Sequence, residues 1–422
     1  MQQMKKILII CDLFPPAFGP RMGYLCKYLL KEGWEPTVLT EDQIGTTFSF
    51  MTNICKVVAM PYYSRKSGFW ARLQRAFFFF LDLCFNYKDR QMYKEACQIL
   101  QKQPVDIILC STYRDFPLKA AQKAAHRYNL PWVADLRDII EQYAGNEFIS
   151  RPIPFGLTSL VAPAFKRHSL CKRNRALKAA SAVTTVSPWH VEILKHYNSN
   201  IHLIYNGYDP ELFFPAPKVT PQFVITYTGR LHSTAMQDPS LLFEALALLT
   251  KEGFLTPEKC RVRWYTNAAS QQIIMAEAQR MDVLEYMDIK EMAPAKEIPA
   301  VLNSSSILLL LTNQEVSGGP KGVMTTKVFE YMAVEKPIQC VRSDENLLAT
   351  LLKETQSGLA ATTVEEVTTF LRHHYAQWQN QGYTTITPIR SLTTTFSRAQ
   401  QAHQFIDIFE RLKNQGPKLR PL

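Results

Sequence analysis

The residues best suited to chemistry lie in the stretch from Ser317 to Pro337, which reads SGGPKGVMTTKVFEYMAVEKP. Three glycines come just before a helical run that begins near Thr325 or Thr326, and they are Gly318, Gly319 and Gly322. Glycine lets a backbone approach a ligand closely and adopts φ values that other residues avoid. The first turn of a helix offers unpaired N–H groups and the positive end of its dipole, which suit a phosphate.

Charged side chains in the same stretch complete a predicted site for a nucleoside diphosphate. Lys321 and Lys327 are cations near the helix start, and Glu330 lies one turn beyond Thr326 on the same helix face. The amides and lysines would bind the phosphates, and the carboxylate would bind ribose hydroxyls. An ordinary loop followed by a capped helix is the alternative interpretation.

The elements that must position these residues belong to a long, basic chain. At 422 residues it exceeds one typical core, so two domains are expected. A hydrophobic share of 46% with 20% charged residues is typical of a soluble globular protein. The net charge of +11 favours an acidic partner, which includes nucleotide phosphate, anionic lipid and nucleic acid.

Cysteine usage and hydropathy indicate the compartment. The nine cysteines are scattered without a CxxC pair, which is typical of thiols in a reducing environment. The start of the chain leads directly into a predicted strand, and no apolar run is long enough to span a membrane. We therefore expect a cytoplasmic protein, with the inner face of the membrane as one location.

Strands and helices alternate from the start of the chain. Lys5 to Ile10 is a buried-type strand, followed by a loop rich in glycine and proline, a helix, and a second strand from Pro36 to Thr40. This order predicts a βαβ unit. The loop lacks GxGxxG, so a nicotinamide cofactor is not predicted. Gly19 and Arg21 follow the first strand, where they could approach a phosphate or sugar, and shaping the loop is the alternative role of Gly19.

A second group of charged residues ends the predicted strand from Pro131 to Asp138. Asp135, Arg137 and Asp138 come together there, and ligands of open α/β sheets bind outside the carboxyl ends of the strands. The pattern makes these residues active-site candidates. An internal Asp–Arg ion pair is the alternative.

A proline-rich segment divides the chain. Residues 214–222 form the predicted linker, and the strand–helix pattern then restarts with FVITYTGR, which ends in Gly229 and Arg230. We expect two Rossmann-like, doubly wound parallel-sheet domains facing a cleft, over residues 1–213 and 223–395. A C-terminal helix would occupy residues 396–422, and packing back on the first domain is one arrangement open to it.

Two segments combine basic and apolar residues, from Ser64 to Lys88 and from Arg151 to Ser181. The first mixes arginine and lysine with a run of phenylalanines, which suits a helix in a bilayer interface. A core-facing helix with a basic solvent side is the alternative. Single-stranded nucleic acid is not predicted, because no nucleic-acid-binding module accompanies the aromatics.

Taken in order, these pieces resemble the GT-B glycosyltransferases, specifically the retaining glycosyltransferase family 4, from Lys5 to about Gly358. The pieces that carry the resemblance are LFPPAFGPRMGYLCKYLLKEGWEPTVLT, VTTVS, IYNGYDPELF, YTGRL, LLFEALALL and TTKVFEYMAVEKPI. The resemblance implies two Rossmann-like domains, with the nucleotide sugar in the C-terminal domain and the acceptor in the N-terminal one.

The resemblance also implies roles for single residues. Gly229 and Arg230 would meet the donor diphosphate, and Glu330 matches the second glutamate of the E-x7-E motif, which contacts ribose. The residues at the phosphate-facing helix start would be Thr325, Thr326 and Lys327.

This chain departs from the family pattern at two places. The position of the first motif glutamate is taken by Gly322, and the lysine usual after GRL is missing. That glutamate would contact the transferred sugar, so the identity of the donor sugar stays open. Lys321 or Lys327 would supply the lost positive charge.

On the acceptor side, the resemblance points to the end of the strand from Pro131 to Asp138. Many relatives carry a histidine after this strand, and here Arg137 falls nearest to that position. Asp135 and Asp138 lie beside it in the sequence.

The implied activity is metal-independent transfer of a hexose or similar sugar from a nucleotide donor, with retention, to a glycan that is lipid-linked or a surface polysaccharide precursor. The absence of a DxD sequence argues against a metal-held diphosphate. The residues expected to act in catalysis are Asp135, Arg137, Asp138, Arg230 and Lys327. The alternatives are a nucleotide-sugar 2-epimerase and a binding subunit with a degenerate donor site.

Overall fold

The computed structural model describes residues 4–62, 68–143, 158–231, 233–234, 237–312, 322–341 and 346–415. The chain divides into two compact units. The first unit contains Met1–Tyr205 and Gln401–Leu422, and the second contains Asn206–Gln400. The predicted linker, residues 214–222, thus lies within the second unit.

The first unit is built on a seven-stranded sheet in which every paired strand is parallel. Its strands are β1 Lys5–Cys11, β2 Trp34–Glu41, β3 Lys56–Met60, β4 Ile107–Thr112, β5 Trp132–Leu136, β6 Ala182–Thr185 and β7 Ile201–Leu203. They lie in the order β3-β2-β1-β4-β5-β6-β7. The central strands β1, β4 and β5 are mostly apolar and almost wholly buried, as expected of a parallel sheet covered on both faces.

Helices connect these strands, as parallel pairing requires. They are α1 Pro20–Lys31, α2 Phe69–Phe85, α3 Tyr87–Lys102, α4 Leu118–Tyr128, α5 Thr158–Ala179 and α6 Pro188–Leu194. Short 3-10 turns occupy Ser49–Met51 and Ile140–Gln142.

The second unit repeats the architecture with a six-stranded parallel sheet. Its strands are β8 Phe223–Thr228, β9 Cys260–Tyr265, β10 Met287–Lys290, β11 Ile307–Leu311, β12 Ile338–Val341 and β13 Gly358–Ala361, in the order β10-β9-β8-β11-β12-β13. Its helices are α7 Ser240–Lys251, α8 Ala268–Arg280, α9 Ile298–Asn303, α10 Thr326–Ala333, α11 Asn346–Thr355, α12 Val364–Gln381 and α13 Arg390–Thr393. Short 3-10 turns occupy Leu284–Tyr286 and Thr394–Phe396.

The final described helix, α14 Arg398–Gln415, belongs almost wholly to the first unit. The ring of Phe409 lies 5.6 Å from that of Trp34, which begins β2, and both side chains are buried. Lys413 forms a 2.6 Å ion pair with Asp106. The first unit therefore contains residues from both ends of the described chain.

The fold class expected from the sequence is confirmed, because each unit is an α/β layer structure around a parallel sheet. Within the described residues, no helix is both long enough and apolar enough to cross a membrane.

Candidate functional site

A glycine and a lysine in the second unit bring the end of β8 against helix α10. Gly229 follows β8 with φ 130°, a conformation that L side chains rarely adopt, and its N–H donates to the Tyr265 carbonyl over 2.9 Å. A Cβ at this position would lie 2.8 Å from Cε of Lys327. The lysine side chain thus lies directly on the glycine backbone, and a larger residue would displace it.

The buried Tyr227 hydroxyl fixes this arrangement. It donates to the Arg230 carbonyl over 3.0 Å and accepts from Nζ of Lys327 over 3.2 Å and from Nε2 of Gln237 over 3.1 Å. The Lys327 ammonium also lies 4.4 Å from the Tyr227 ring centroid, within the range of a cation–π contact. The structure therefore brings together Arg230 and Lys327, two of the predicted site residues.

Helix α10 presents its amino end without a side-chain cap. Thr325 occupies the N-cap position with extended backbone angles, φ −60° and ψ 137°, but its side chain makes no capping hydrogen bond. Among the described residues, the Thr325 hydroxyl thus leaves unused the donor capacity of the first helical N–H groups that a capping side chain would satisfy. Thr326 is the first helical residue, so the predicted helix start is accurate.

The charged groups of α10 lie in a desolvated setting. Burial lowers the pKa of Lys327, and nearby Tyr331 and Glu330 only partly oppose this effect. Burial also raises the pKa of Glu330 from its ordinary value of 4.5 to about 7, although Arg398 and Lys327 favour the charged form. An anion beside Lys327 and hydroxyl donors beside Glu330 would stabilise the charged forms of both residues.

Lys321, a predicted phosphate ligand, lies outside the described residues, as do Gly318 and Gly319. Gly322 is described, and its φ of 65° is in the left-handed region. A glutamate in the same backbone conformation would be strained. The departure from the family motif is therefore matched by a backbone that suits glycine.

In the first unit, Asp135 is the centre of a closed polar network. Its side chain is completely buried and accepts hydrogen bonds from Nε and Nη2 of Arg21 at 3.2 and 3.0 Å, and from Ser111 and Thr184 at 2.8 Å each. Burial would raise the pKa of Asp135, but Arg21 and the two hydroxyls bring it below its ordinary value. This geometry favours the internal ion pair over a catalytic role, and the partner is Arg21, not Arg137.

Arg21 is committed to the same network. It also donates to the backbone carbonyls of Ile204 and Tyr205, at 3.0 and 2.9 Å, and its guanidinium lies 5.5 Å from the Phe405 ring centroid. Gly19, just before α1, has φ 79°, and a Cβ there would lie 2.6 Å from the Leu13 carbonyl oxygen. These contacts favour the loop-shaping role for Gly19 and a structural role for Arg21.

Arg137 pairs instead with a carboxylate that sequence reasoning did not select. Its Nη2 forms an ion pair with Asp12, which directly follows β1, and Thr112 donates to the other Asp12 oxygen over 3.2 Å. Burial raises the pKa of Asp12, and Arg137 opposes that rise. Nε of Arg137 is buried and has no hydrogen-bond partner among the described residues. This pair thus retains donor capacity at the carboxyl ends of β1 and β5.

Asp138 is held by a chain of buried hydrogen bonds. Nε2 of Gln142 donates to Asp138 over 3.3 Å, while Oε1 of Gln142 lies 3.1 Å from Nε2 of His190. Thr185 lies 3.1 Å from the other ring nitrogen of His190. Burial lowers the pKa of His190 to about 4, so the ring is neutral near pH 7. In the tautomer with a proton on Nε2, His190 donates to Gln142, while the Thr185 hydroxyl beside Nδ1 donates to the Leu136 carbonyl over 3.0 Å.

Sequence reasoning missed four residues that shape these sites, namely Asp12, Gln142, His190 and Tyr227. Asp12 was recognisable as an acid at the end of a buried strand. Tyr227 carried no comparable signal, because an aromatic residue in a strand is typical of a core position. Among the described residues, no group of three or more His, Cys, Asp or Glu side chains is arranged to hold a metal ion.

The fold and the groups that meet at the start of α10 indicate a class of proteins. Paired parallel-sheet α/β units of this kind form the GT-B fold of glycosyltransferases. Residues 21–212 match the family described as Glycosyltransferase Family 4. The N-terminal part of the chain thus matches a glycosyltransferase family, and each unit has the parallel-sheet α/β architecture of the GT-B fold. No curated protein sequence is significantly similar to it.

Solved structures extend the fold likeness to both units. Sucrose-phosphate synthase from Thermosynechococcus elongatus has 12% identity and a TM-score of 0.64, covering 98% of this chain and 100% of that one. Anabaena Alr3699/HepE in complex with UDP-glucose has 16% identity and a TM-score of 0.61, covering 96% and 100%. A Listeria monocytogenes protein assigned as a UDP-N-acetylglucosamine 2-epimerase has 12% identity and a TM-score of 0.55, covering 99% of each chain.

Proposed function

We propose that this chain is a retaining, metal-independent glycosyltransferase that moves a sugar from a nucleoside-diphosphate donor to a glycan acceptor. The observation that carries the proposal is the convergence of the Lys327 ammonium, the Gly229 backbone and the uncapped start of α10. Backbone N–H groups at a helix start and a lysine are the groups that bind phosphate oxygens. The Anabaena protein was solved with UDP-glucose, a donor of this chemical class.

The donor would bind with its diphosphate at the start of α10 and its ribose beside Glu330. Thr325 and Thr326 would offer hydroxyl and N–H groups to the phosphates. Glu330, three residues after Lys327, would accept hydrogen bonds from ribose hydroxyls. Because these donors and acceptors are fixed by the helix, they would not need to reorganise when the ligand arrives.

The chemical step would depend on stabilising the leaving group. As the bond between the sugar carbon and the diphosphate oxygen breaks, negative charge grows on that oxygen. Lys327, the exposed Arg230 side chain and the helix N–H groups would stabilise this charge. The acceptor hydroxyl forms the new bond on the same face of the sugar, and its proton passes to the departing diphosphate. The products are the glycosylated acceptor and the nucleoside diphosphate.

The first unit would bind the acceptor. Arg137 and Asp138 lie at the carboxyl end of β5, where ligands of open sheets bind, and Gln142 orients Asp138. We assign acceptor recognition to these two residues and a structural role to Asp135. The acceptor would be a lipid-linked glycan or a surface polysaccharide precursor, used at the cytoplasmic face of the membrane.

A thermal-shift panel of nucleoside diphosphates and their sugars tests the donor site, because a ligand that binds the folded state raises the unfolding temperature. We expect one base to stabilise the protein, and the corresponding nucleotide sugar to stabilise it further. An NMR assay with that donor should then show an acceptor-dependent product with retained anomeric configuration and undiminished turnover in chelator. A panel without any stabilising nucleotide would overturn the proposal.

The same NMR assay distinguishes a glycosyltransferase from the second enzymatic candidate. The likeness to the Listeria protein favours a nucleotide-sugar 2-epimerase, which would convert the donor to its epimer without an acceptor. Glycine at position 322 favours a further candidate, a nucleotide-binding subunit without turnover. In that case the donor would bind but would remain unchanged with every acceptor tried.

A further inference from the structure

The helices of the two basic and apolar segments, α2 and α5, differ in where their described side chains lie. In α5, Arg173 is fully buried and pairs with Glu141, and Lys172 pairs with Asp89 at 2.6 Å and Asp115 at 3.1 Å. These charges hold the first unit together. Helix α2 instead leaves large apolar side chains in contact with water, and its function therefore needs a separate explanation.

Among the described side chains of α2, six large hydrophobic ones are exposed within 17 positions. Trp70 is 80% exposed, Phe69 68% and Phe77 58%. The others are Leu73, Phe80 and Phe85. Soluble proteins rarely leave a contiguous apolar surface of this kind uncovered, and such a surface marks an interaction site.

The exposed residues form a stripe along one side of the helix. At 3.6 residues per turn, Phe69, Trp70, Leu73, Phe77 and Phe80 fall within an arc of about 100°. The rings of Phe69 and Trp70 meet edge to face with centroids 5.8 Å apart. The apolar face is thus continuous over most of the helix and is not a set of scattered residues.

Away from the stripe, α2 contacts the start of α3. The Phe78 ring lies 5.4 Å from that of Tyr87, the first residue of α3, and the Asp82 carboxylate accepts from the Lys88 N–H over 2.9 Å. The position of the stripe therefore follows from the fold.

The chemistry of the helix favours an anionic bilayer as the occupant. Trp and Phe are suited to the boundary between headgroups and acyl chains, and the helix sequence contains the basic residues Arg72 and Arg75. The chain carries a net charge of +11, which anionic lipid attracts. At about 1.5 Å per residue the helix is too short to span a bilayer but suits a position along its surface.

We propose that α2 docks the protein on an anionic membrane surface, with the stripe of Phe69, Trp70, Leu73, Phe77 and Phe80 inserted among the lipids. The lipid-linked acceptor class rests on the proposed function, whereas the docking itself rests on this helix. The shared consequence is that sugar transfer would take place at the bilayer surface.

Vesicle flotation of the full chain tests the docking. The variant W70Q/F77Q replaces two exposed side chains of the stripe, and the control L248Q/M275Q makes the same kind of change at two part-exposed helix positions of the second unit. We expect the wild type and the control to float with vesicles containing phosphatidylglycerol and to remain below with phosphatidylcholine alone. The W70Q/F77Q variant should lose at least about tenfold in bound fraction at low salt.

Two results would overturn the docking proposal. One is equal binding of wild type and W70Q/F77Q to anionic vesicles. The other is the absence of wild-type binding, and a dimer in sedimentation that W70Q/F77Q abolishes would then identify a second copy as the occupant. A nucleotide thermal shift measured on the same variants separates the docking proposal from the proposed function. The shift reports nucleotide binding at the donor site, so it should not change when residues of α2 are substituted.

Discussion

The polar groups at the carboxyl ends of the two sheets are satisfied in different ways. In the first unit, Asp135 is completely buried and receives four hydrogen bonds from Arg21, Ser111 and Thr184. In the second unit, Lys327 has Tyr227 as a neutral partner, and burial disfavours the charged form of Glu330. The first network is complete within the protein, whereas the proposed anionic ligand would stabilise the charged form of Lys327 in the second.

The difference between these two networks shows that a buried charge is not by itself a sign of catalysis. A carboxylate with every acceptor position filled has nothing left for a substrate, as at Asp135. A lysine held against a glycine backbone beside an uncapped helix keeps its charge available. The following experiments test that distinction, beginning with the largest expected effect.

Removing the buried charge of Asp135 should destabilise the first unit strongly. In D135N, the Arg21 guanidinium would remain buried without its counter-charge, and breaking a buried ion pair in this way costs about 3–5 kcal/mol. The part-exposed pair between Arg263 and Asp288 provides the control, since D288N should cost about 1 kcal/mol or less. Urea unfolding of both variants measures the two losses of stability. Equal unfolding midpoints for D135N and D288N would contradict the expected difference.

Removing the charge of Lys327 should instead weaken nucleotide binding. K327M keeps an unbranched side chain but should lose a charge-assisted hydrogen bond to phosphate, which is worth about 1.5–3 kcal/mol, or roughly 10- to 100-fold in affinity. Calorimetry with the nucleoside diphosphate found in the panel measures this loss. K353M, at an exposed position of α11, should bind like the wild type. Unchanged affinity in K327M would remove the lysine from the donor site.

The pH dependence of nucleotide affinity should reveal Glu330. Ribose hydroxyls bind best to the ionised carboxylate, and its pKa of about 7 means that affinity should rise as the pH rises through neutrality. E330Q should lack this component, so the difference between the two profiles isolates it from titration of the phosphate. Parallel profiles would show that Glu330 does not contact the nucleotide.

The stability of the free protein should change with pH in the opposite direction. Between the ordinary carboxyl value of 4.5 and about 7, Glu330 is protonated in the folded chain but ionised in the unfolded chain. Its contribution to stability is thus present at the lower end of this window and is lost as the pH rises. Thermal unfolding of wild type and E330Q without nucleotide measures this difference.

The smallest effect is expected at Gln142, a buried residue that donates a hydrogen bond to Asp138. Q142M would remove the hydrogen bonds to Asp138 and His190, and we expect turnover to fall several-fold. Nucleotide affinity should stay the same, because Gln142 lies in the other unit from Lys327. A loss of both properties together would indicate a general structural defect.

The sequence predicted the local features of this molecule well. Buried apolar runs identified the central strands, and the glycines before Thr326 located the start of α10, because both signals depend on neighbouring residues. Partners distant in sequence were not predictable in this way. Arg21 and Asp135 are 114 positions apart, and Tyr227 and Lys327 are 100 apart, so their contacts exist only after the strands have been ordered in a sheet.

The placement of α14 has a consequence for biosynthesis. Trp34 is packed against Phe409, and Arg21 against Phe405. Two early elements of the first unit therefore pack against residues that are synthesised only after the whole second unit. Domains commonly fold as they emerge, N-terminal first. Until α14 is synthesised, the nascent first unit would expose the surface that Phe405 and Phe409 cover in the folded chain.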